Sequence, residues 1–273
     1  MSSFAEAAAM PHAERPGVEI HPTAIVDPSA VLEPGVSVGA FSIIGPNVVV
    51  GAGTRISSHV LIERDTTVGA ECAISNGAVL GTDPQDLKYH DEPTRLVVGD
   101  RTIIREYATL NRGTSASGLT SVGSDCMLMS YVHVAHDCRI GDHVIISNAV
   151  NMAGHVSIDD WAIVGGMTPI HQFVRIGAHA FVGGASRVAK DVPPYVKAAG
   201  SPMQLYGLNS VGLQRRGFDE EVRRELKRAY RLFFASTHNT TQALARAREE
   251  LRALPEVEVF LSFFEASERG VSV

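Results

Sequence analysis

Residues 133–158 read HVAHDCRIGDHVIISNAVNMAGHVSI. Every sixth residue is aliphatic: Val134, Ile140, Ile146, Met152 and Ile158. That period fits neither the 3.6-residue α-helix nor the alternation of a half-buried strand. The column extends in both directions. It runs from Ile20 to Leu80, resumes at Val98, Ile104 and Leu110, and continues from Val122 to Val188, broken at Asp86, Glu92 and Ala116. Four residues after each column position lies a second, smaller set, including Ala24, Ala30, Val48, Val132 and Val144. Cys72, Cys126 and Cys138 all fall in it. They read as small buried filler rather than nucleophiles.

A six-residue period is the signature of a parallel β-helix built from hexapeptides. Each hexad supplies a short strand and a turn, and three hexads make one coil. Coils stack at about 4.8 Å, so the column residues form a continuous core. Glycines that follow the column, such as Gly39, Gly45, Gly51 and Gly141, are expected to serve the tight corners. The prism is expected over residues 18–199, with loops thrown out at 81–97 and 112–121. Long excursions from a compact repeat are where function concentrates.

Composition agrees with this class. Glycine is abundant (25), aromatics are sparse (6%), and the net charge is −6. An acidic chain gives no sign of a nucleic-acid partner. No stretch approaches the roughly 18 apolar residues of a transmembrane span. The N-terminus lacks the basic and apolar regions of a secretory signal. With three cysteines in no framework spacing, a cytoplasmic location is expected.

After DVPPYVKAAGSP the period stops, and Pro193, Pro194 and Pro202 punctuate the change. Residues 200–273 are expected to form a small helical domain. Val222, Leu226, Tyr230 and Phe233 share a helical face within 218–235. Further helices are expected from Thr240 or Thr241 and from Pro255. The basic run from Arg215 to Arg231 is either a solvated helix face or a dock for an acidic partner or phosphate. Residues 1–17 are expected to be a disordered extension.

The repeat also places polar residues. His136 and Asp137 lie at or near an outward corner, and His133 ends the hexad before. One coil on, Gly154 falls beside His136 and His155 beside Asp137, and His171 and Gln172 follow. This convergence makes a candidate site. Imidazole suits general-base work, and a carboxylate beside it would orient the ring. No serine adjoins the group, so direct proton removal from a hydroxyl or amine fits better than covalent catalysis. His133 could equally be a hydrogen-bonded structural residue. A zinc hydratase and a non-catalytic scaffold are the readings of a different class, but the histidine spacing matches no metal-ligand pattern. The GAGT at 51–54 is a corner, since no GxxxxGK[ST] follows, and no cofactor is implied.

The motifs carry more than the column does. HPTAIV (21–26), QDLKY (85–89), GDRTIIRE (99–106), NRGT (111–114), HVAHDC (133–138), AGHVS (153–157), GGMTPIHQF (165–173), DVPPYV (191–196) and GLQRRGF (212–218) resemble the UDP-N-acetylglucosamine O-acyltransferases that begin lipid A biosynthesis in Gram-negative bacteria. The resemblance runs from about residue 20 to the C-terminus. It implies a left-handed parallel β-helix followed by a small α-helical domain, assembled as a homotrimer with active sites between subunits. It implies transfer of a 3-hydroxyacyl group from acyl carrier protein to the 3-hydroxyl of UDP-N-acetylglucosamine. His136 would be the general base, Asp137 would support His136 or His155, and the Gly154 amide would stabilise the oxyanion. Asp86, Lys88, His133, His155, His171 and Gln172 match substrate-contacting positions. Asn209, Arg215 and Arg216 match nucleotide-binding ones, and Gly184 matches the position that limits acyl length. Asn111 departs from the pattern, standing where a histidine is common. The rest of the basic helix would face the carrier protein.

Two rivals stay close to this reading. The sister N-acyltransferases carry a uridine-binding domain before the β-helix, for which hexads starting near residue 20 leave no room. An enzyme of the same class acting on a 3-amino sugar nucleotide remains open.

Overall fold

The computed structural model describes residues 17–272. The expected extension over 1–17 therefore lies outside the described residues, Gly17 excepted. The chain winds into a three-sided prism whose faces are parallel sheets of eleven, eight and eight strands. The first sheet begins at Glu19–Ile20, the second at Ile25–Val26 and the third at Val31–Leu32. Successive coils pair in strict register: Ile20 with Val38, Val26 with Ile44, Val134 with Met152. Column residues such as Ile44, Ile62, Leu80, Leu110 and Ile146 have no exposed surface. Each such burial contributes about 1.5–3 kcal/mol.

The second set of positions is buried too, and it is partly polar for a reason. The hydroxyls of Ser42, Thr54 and Thr102 donate to the carbonyls of Ser57, Gly69 and Gly123 at 2.7–2.8 Å. The thiols of Cys72, Cys126 and Cys138 donate in the same way to Gly99, Gly141 and Ala153. Each cysteine thus fills the space of a threonine. Burial raises Cys126 to about 11 and Cys138 to about 12, which leaves neither as a ready thiolate.

The corners differ from expectation. The residue in the left-handed region stands three after the column, and most such residues are not glycine: Phe41, Asn47, His59, Tyr131, Asp137, His155 and Trp161 all have φ between 58° and 63°. An extra bond between coils offsets the strain: the His59 and His143 amides donate to the Ala40 and Ser124 carbonyls, both at 2.9 Å. Gly39 and Gly45 have ordinary φ. They are small because the next coil runs against them: a Cβ on Gly39 would lie 2.6 Å from the Ser57 carbonyl carbon.

Both loops are shorter than expected. Strands Val79–Thr82, Arg95–Val98 and Leu119–Val122 claim their flanks, because Leu96, Val98, Thr120 and Val122 point inward and pair between coils. The irregular segments are 83–94 and 112–118. Both leave the corner between the second and third sheets.

The change at residue 200 is not abrupt. Val196–Ala199 still pairs parallel with Phe181–Val182, and Gln204–Leu208 turns back to pair antiparallel with it. Four helices follow: α1 (Ser210–Arg215), α2 (Glu220–Phe234), α3 (Thr240–Glu250) and α4 (Pro255–Glu265). The short α1 carries no apolar period and was not anticipated. Asn239 caps α3 in a capping box with Gln242. Phe233, Phe234, Phe260 and Phe264 cluster between α2 and α4. Asp191 ties the end of the chain to the prism: its carboxylate accepts from the Arg175 amide at 2.9 Å and the Ser267 hydroxyl at 2.7 Å. Among the described residues no helix is long and apolar enough to cross a membrane.

Gly45→Ala should destabilise the protein by about 1–3 kcal/mol or more, because its Cβ would overlap the Glu63 carbonyl oxygen in the next coil. Gly118→Ala, which meets no atom and strains only a φ of +72°, should cost about 1 kcal/mol. Denaturant midpoints of the two variants check the order.

Candidate active site

The corner between the second and third sheets gathers the polar cluster. His136 and Asp137 lie on it between strands His133–Val134 and Arg139–Ile140. His136 Nδ1 is 2.8 Å from Asp137 Oδ2. The Asp137 side chain is fully buried, and its carboxylate also accepts from the Thr114 amide (3.1 Å), the Thr114 hydroxyl (2.7 Å) and the Ser117 hydroxyl. Burial alone would raise this carboxyl, but the hydrogen bonds from Ser117, His136 and Thr114 prevail and hold it below the usual range. An ionised carboxylate only accepts, so His136 carries its proton on Nδ1 and leaves Nε2 free.

One coil on, Gly154 makes room for the imidazole. A Cβ there would lie 2.5 Å from His136 Cε1 and 2.7 Å from Nε2. The ring therefore occupies the space that a side chain would fill. At the matching positions of another corner, the amides of Ala70, Ser124 and Asp142 donate to aspartate oxygens. The Gly154 amide donates to no backbone acceptor among the described residues. His155 meets His136 edge to face at 5.2 Å and stacks on Phe173 at 4.5 Å. Its Nε2 lies 3.7 Å from Asp137 Oδ2, beyond hydrogen-bond reach. His171 donates from Nδ1 to the Gln172 carbonyl at 3.2 Å, and both side chains are exposed.

His133 projects from the neighbouring strand, with Nδ1 2.7 Å from the Thr109 hydroxyl. Burial and the nearby His136 push it below its usual value. Asp86 and Lys88 ride on segment 83–94, where the Lys88 amide donates to Asp86 at 3.0 Å. Buried Arg112 anchors that segment by bonding to the Gly81 carbonyl, the Asp83 carboxylate and the Tyr89 hydroxyl. Asn111 bonds to Thr82 Oγ1 and the Asp83 carbonyl, so its amide also serves the segment's root. Neither these anchoring roles nor the contacts of Thr114 and Ser117 follow from the hexad period.

Other candidate residues lie on different edges. Gly184 sits at the corner after the first sheet, beside Gly166. Arg216 lies at the corner between the third and first sheets, its guanidinium 5.2 Å from the Trp161 ring and 3.2 Å from His179 Nδ1. Arg215 is exposed at the end of α1. Asn209 is buried, and both its polar atoms are engaged: Oδ1 accepts from the Gly212 amide, and Nδ2 donates to the His179 carbonyl. It acts within this chain as the cap of α1.

His136, Asp137 and His155 offer ligand atoms within 4.8 Å of one another. The Asp137 oxygens are already committed to four donors. A cation would have to displace them, so the donor set does not fit a resident metal.

A prism of hexads with an imidazole–carboxylate pair on one edge is the architecture of a bacterial hexapeptide transferase. The profile described as "Bacterial transferase hexapeptide (six repeats)" matches residues 120–154. That described as "Udp N-acetylglucosamine O-acyltransferase; Domain 2" matches residues 191–272. The chain is 51% identical over 257 residues to an acyl-[acyl-carrier-protein]–UDP-N-acetylglucosamine O-acyltransferase of Burkholderia mallei, covering 92% of this chain and 98% of that one. The solved structure of LpxA from Acinetobacter baumannii superposes with a TM-score of 0.91 at 43% identity, covering 93% and 99% of the two chains. An Arabidopsis UDP-N-acetylglucosamine acyltransferase gives 0.71 at 31% identity, with 94% and 99% covered. The chain belongs to the UDP-N-acetylglucosamine O-acyltransferase family. Its β-helix is left-handed, with hexapeptide repeats and a small helical domain behind it.

Burial, with the Arg216 charge adding to it, holds His179 at about 4. An unfolded histidine titrates near 6.5. Neutral His179 therefore contributes stability that is full above about 6.5 and is lost as the pH falls towards about 4. His179→Phe should flatten that part of the stability curve, which urea midpoints across this range will show.

Proposed function

We propose that this chain is an enzyme that moves a 3-hydroxyacyl group from acyl carrier protein to the 3-hydroxyl of UDP-N-acetylglucosamine, the first step of lipid A biosynthesis. One observation supports the mechanism: His136 keeps Nδ1 on a buried carboxylate, with Nε2 in the space that a Gly154 side chain would fill. Nε2 takes the proton of the sugar hydroxyl as its oxygen attacks the thioester carbonyl. A C–O bond forms, and the developing oxyanion is met by the Gly154 amide. The C–S bond then breaks, and the imidazolium gives the proton to the leaving thiolate. Asp86, Lys88, His133, His155, His171 and Gln172 bind substrate along the same edge. No cofactor takes part.

The assembly is a homotrimer. Its support is the scatter of candidate residues over three edges, which one chain cannot bring into one pocket. Ile25, Phe41, Ile43, Tyr107, Tyr131 and Met167 also leave an apolar face on and beside the second sheet. A neighbouring copy would bring Gly184 to the acyl end of the site, where glycine leaves room for a long chain. Arg215 and Arg216 take the diphosphate, with Asn209 holding the helix that carries Arg215. Arg224, Lys227 and Arg231 are exposed on α2 and offer a basic face to the carrier protein. The cytoplasm, where buried free thiols persist, is the compartment.

The test is an assay of purified protein with 3-hydroxyacyl carrier proteins of several lengths. UDP-N-acetylglucosamine and its 3-amino analogue serve as acceptors, and products are weighed by mass spectrometry. Ester on the natural sugar is expected, and amide formed only on the analogue would move the acceptor. His136→Ala should keep the trimer mass in sedimentation and lose about 10²–10⁴-fold in rate. Activity that disappears with a chelator and returns with zinc would favour the metal reading instead. Arg224→Glu with Lys227→Glu should weaken carrier-protein binding while sparing the sugar nucleotide.

A further inference from the structure

The carboxylate of Asp137 is held unlike any other on its edge. Asp65, at the equivalent corner position earlier in the stack, accepts from the exposed side-chain Nδ2 of Asn47 at 3.0 Å. Asp137 receives three donors from the 112–118 segment alone: the Thr114 amide, the Thr114 hydroxyl and the Ser117 hydroxyl. The segment opens the corner of the preceding coil, so the Asp137 amide turns to the Thr120 hydroxyl at 2.8 Å in place of a corner carbonyl.

The grip has a direction. Thr114 holds both carboxylate oxygens, Oδ1 through its amide and Oδ2 through its hydroxyl, which fixes the plane of the group. Oδ2 is thereby aimed at His136 Nδ1 at 2.8 Å, and His155 Nε2 is left at 3.7 Å. Two imidazoles compete for one oxygen, and a carboxylate free to rotate could serve either. The ring it serves is fixed with its proton on Nδ1.

We propose that Thr114 and Ser117 are positioning residues, which clamp Asp137 so that it orients His136 rather than His155 and keeps Nε2 of His136 available to the acceptor hydroxyl. The proposal rests on the reading of His136 as the base. It gives the second loop a function without any contact with substrate. The Ser117 hydroxyl also accepts from the Leu119 amide at 3.3 Å, which ties the clamp to the strand that re-enters the prism.

Thr114→Val with Ser117→Ala removes both hydroxyls while nearly keeping their volumes. Set beside the wild type and His136→Ala, it should lower kcat by about 10²-fold with KM for the sugar nucleotide unchanged, the effect of a misplaced reacting group. Thr114→Ser and Ser117→Thr, which keep a hydroxyl, should each retain wild-type kcat. With 15N-labelled histidine, the wild type should show His136, assigned by its loss in His136→Gln, protonated at Nδ1, and the double variant a mixture of tautomers. If the double variant does not fold by thermal unfolding, Thr114→Val against Thr114→Ser carries the same comparison. Wild-type kcat in the double variant would overturn the clamp, as would equal damage from Thr114→Ser and Thr114→Val. Full activity in His136→Ala would overturn the base and the clamp together. A wild type active only when His136 is present, with an indifferent double variant, would overturn the clamp alone.

Discussion

The hydrogen bond from one coil to the next governs this molecule. A backbone that must pair with itself at about 4.8 Å cannot drift, so each side chain stands over a fixed counterpart. The aliphatic columns, the threonine and cysteine ladder and the ring stacks all follow. His143 lies on Trp161 at 3.9 Å, and His155 on Phe173 at 4.5 Å. The same constraint places the Gly154 vacancy directly under the His136 ring. The candidate edge is thus not a pocket carved into a fold. It is a run of ordinary corner positions occupied by unusual residues.

The column could be read from the sequence because a buried aliphatic residue has few substitutes and recurs at a fixed interval. The same arithmetic brought His136, Asp137, Gly154 and His155 to one edge. What it could not give was conformation at the corner. Hexad spacing does not distinguish a glycine needed for positive φ from one needed for close approach, and Gly45 proves to be the second kind. Nor could it follow a chain once it left the prism. Thr114, Ser117 and Arg112 act across loops, where no period reports who meets whom. Asn209 was singled out only through the family resemblance, and its capping role depends on α1, a helix too short to leave a pattern.

Three edges of one prism carry different chemistry. One holds the imidazole, carboxylate and glycine; a second holds Gly184; the third holds Arg216 against Trp161 and His179. A rigid prism cannot fold these together. Rigid copies set side by side can, and each would then meet substrate with different faces of different chains.

The hairpin that closes the first sheet has a bearing on solubility. A parallel β-helix is an open stack, and an exposed last coil invites another chain to continue it. Here Gln204–Leu208 runs antiparallel to Val196–Ala199, and the helices follow directly. An incoming coil would find the wrong strand direction on that face. The first sheet therefore ends in a reversed strand followed by helices, a blunted edge at the point where the repeat itself offers no reason to stop.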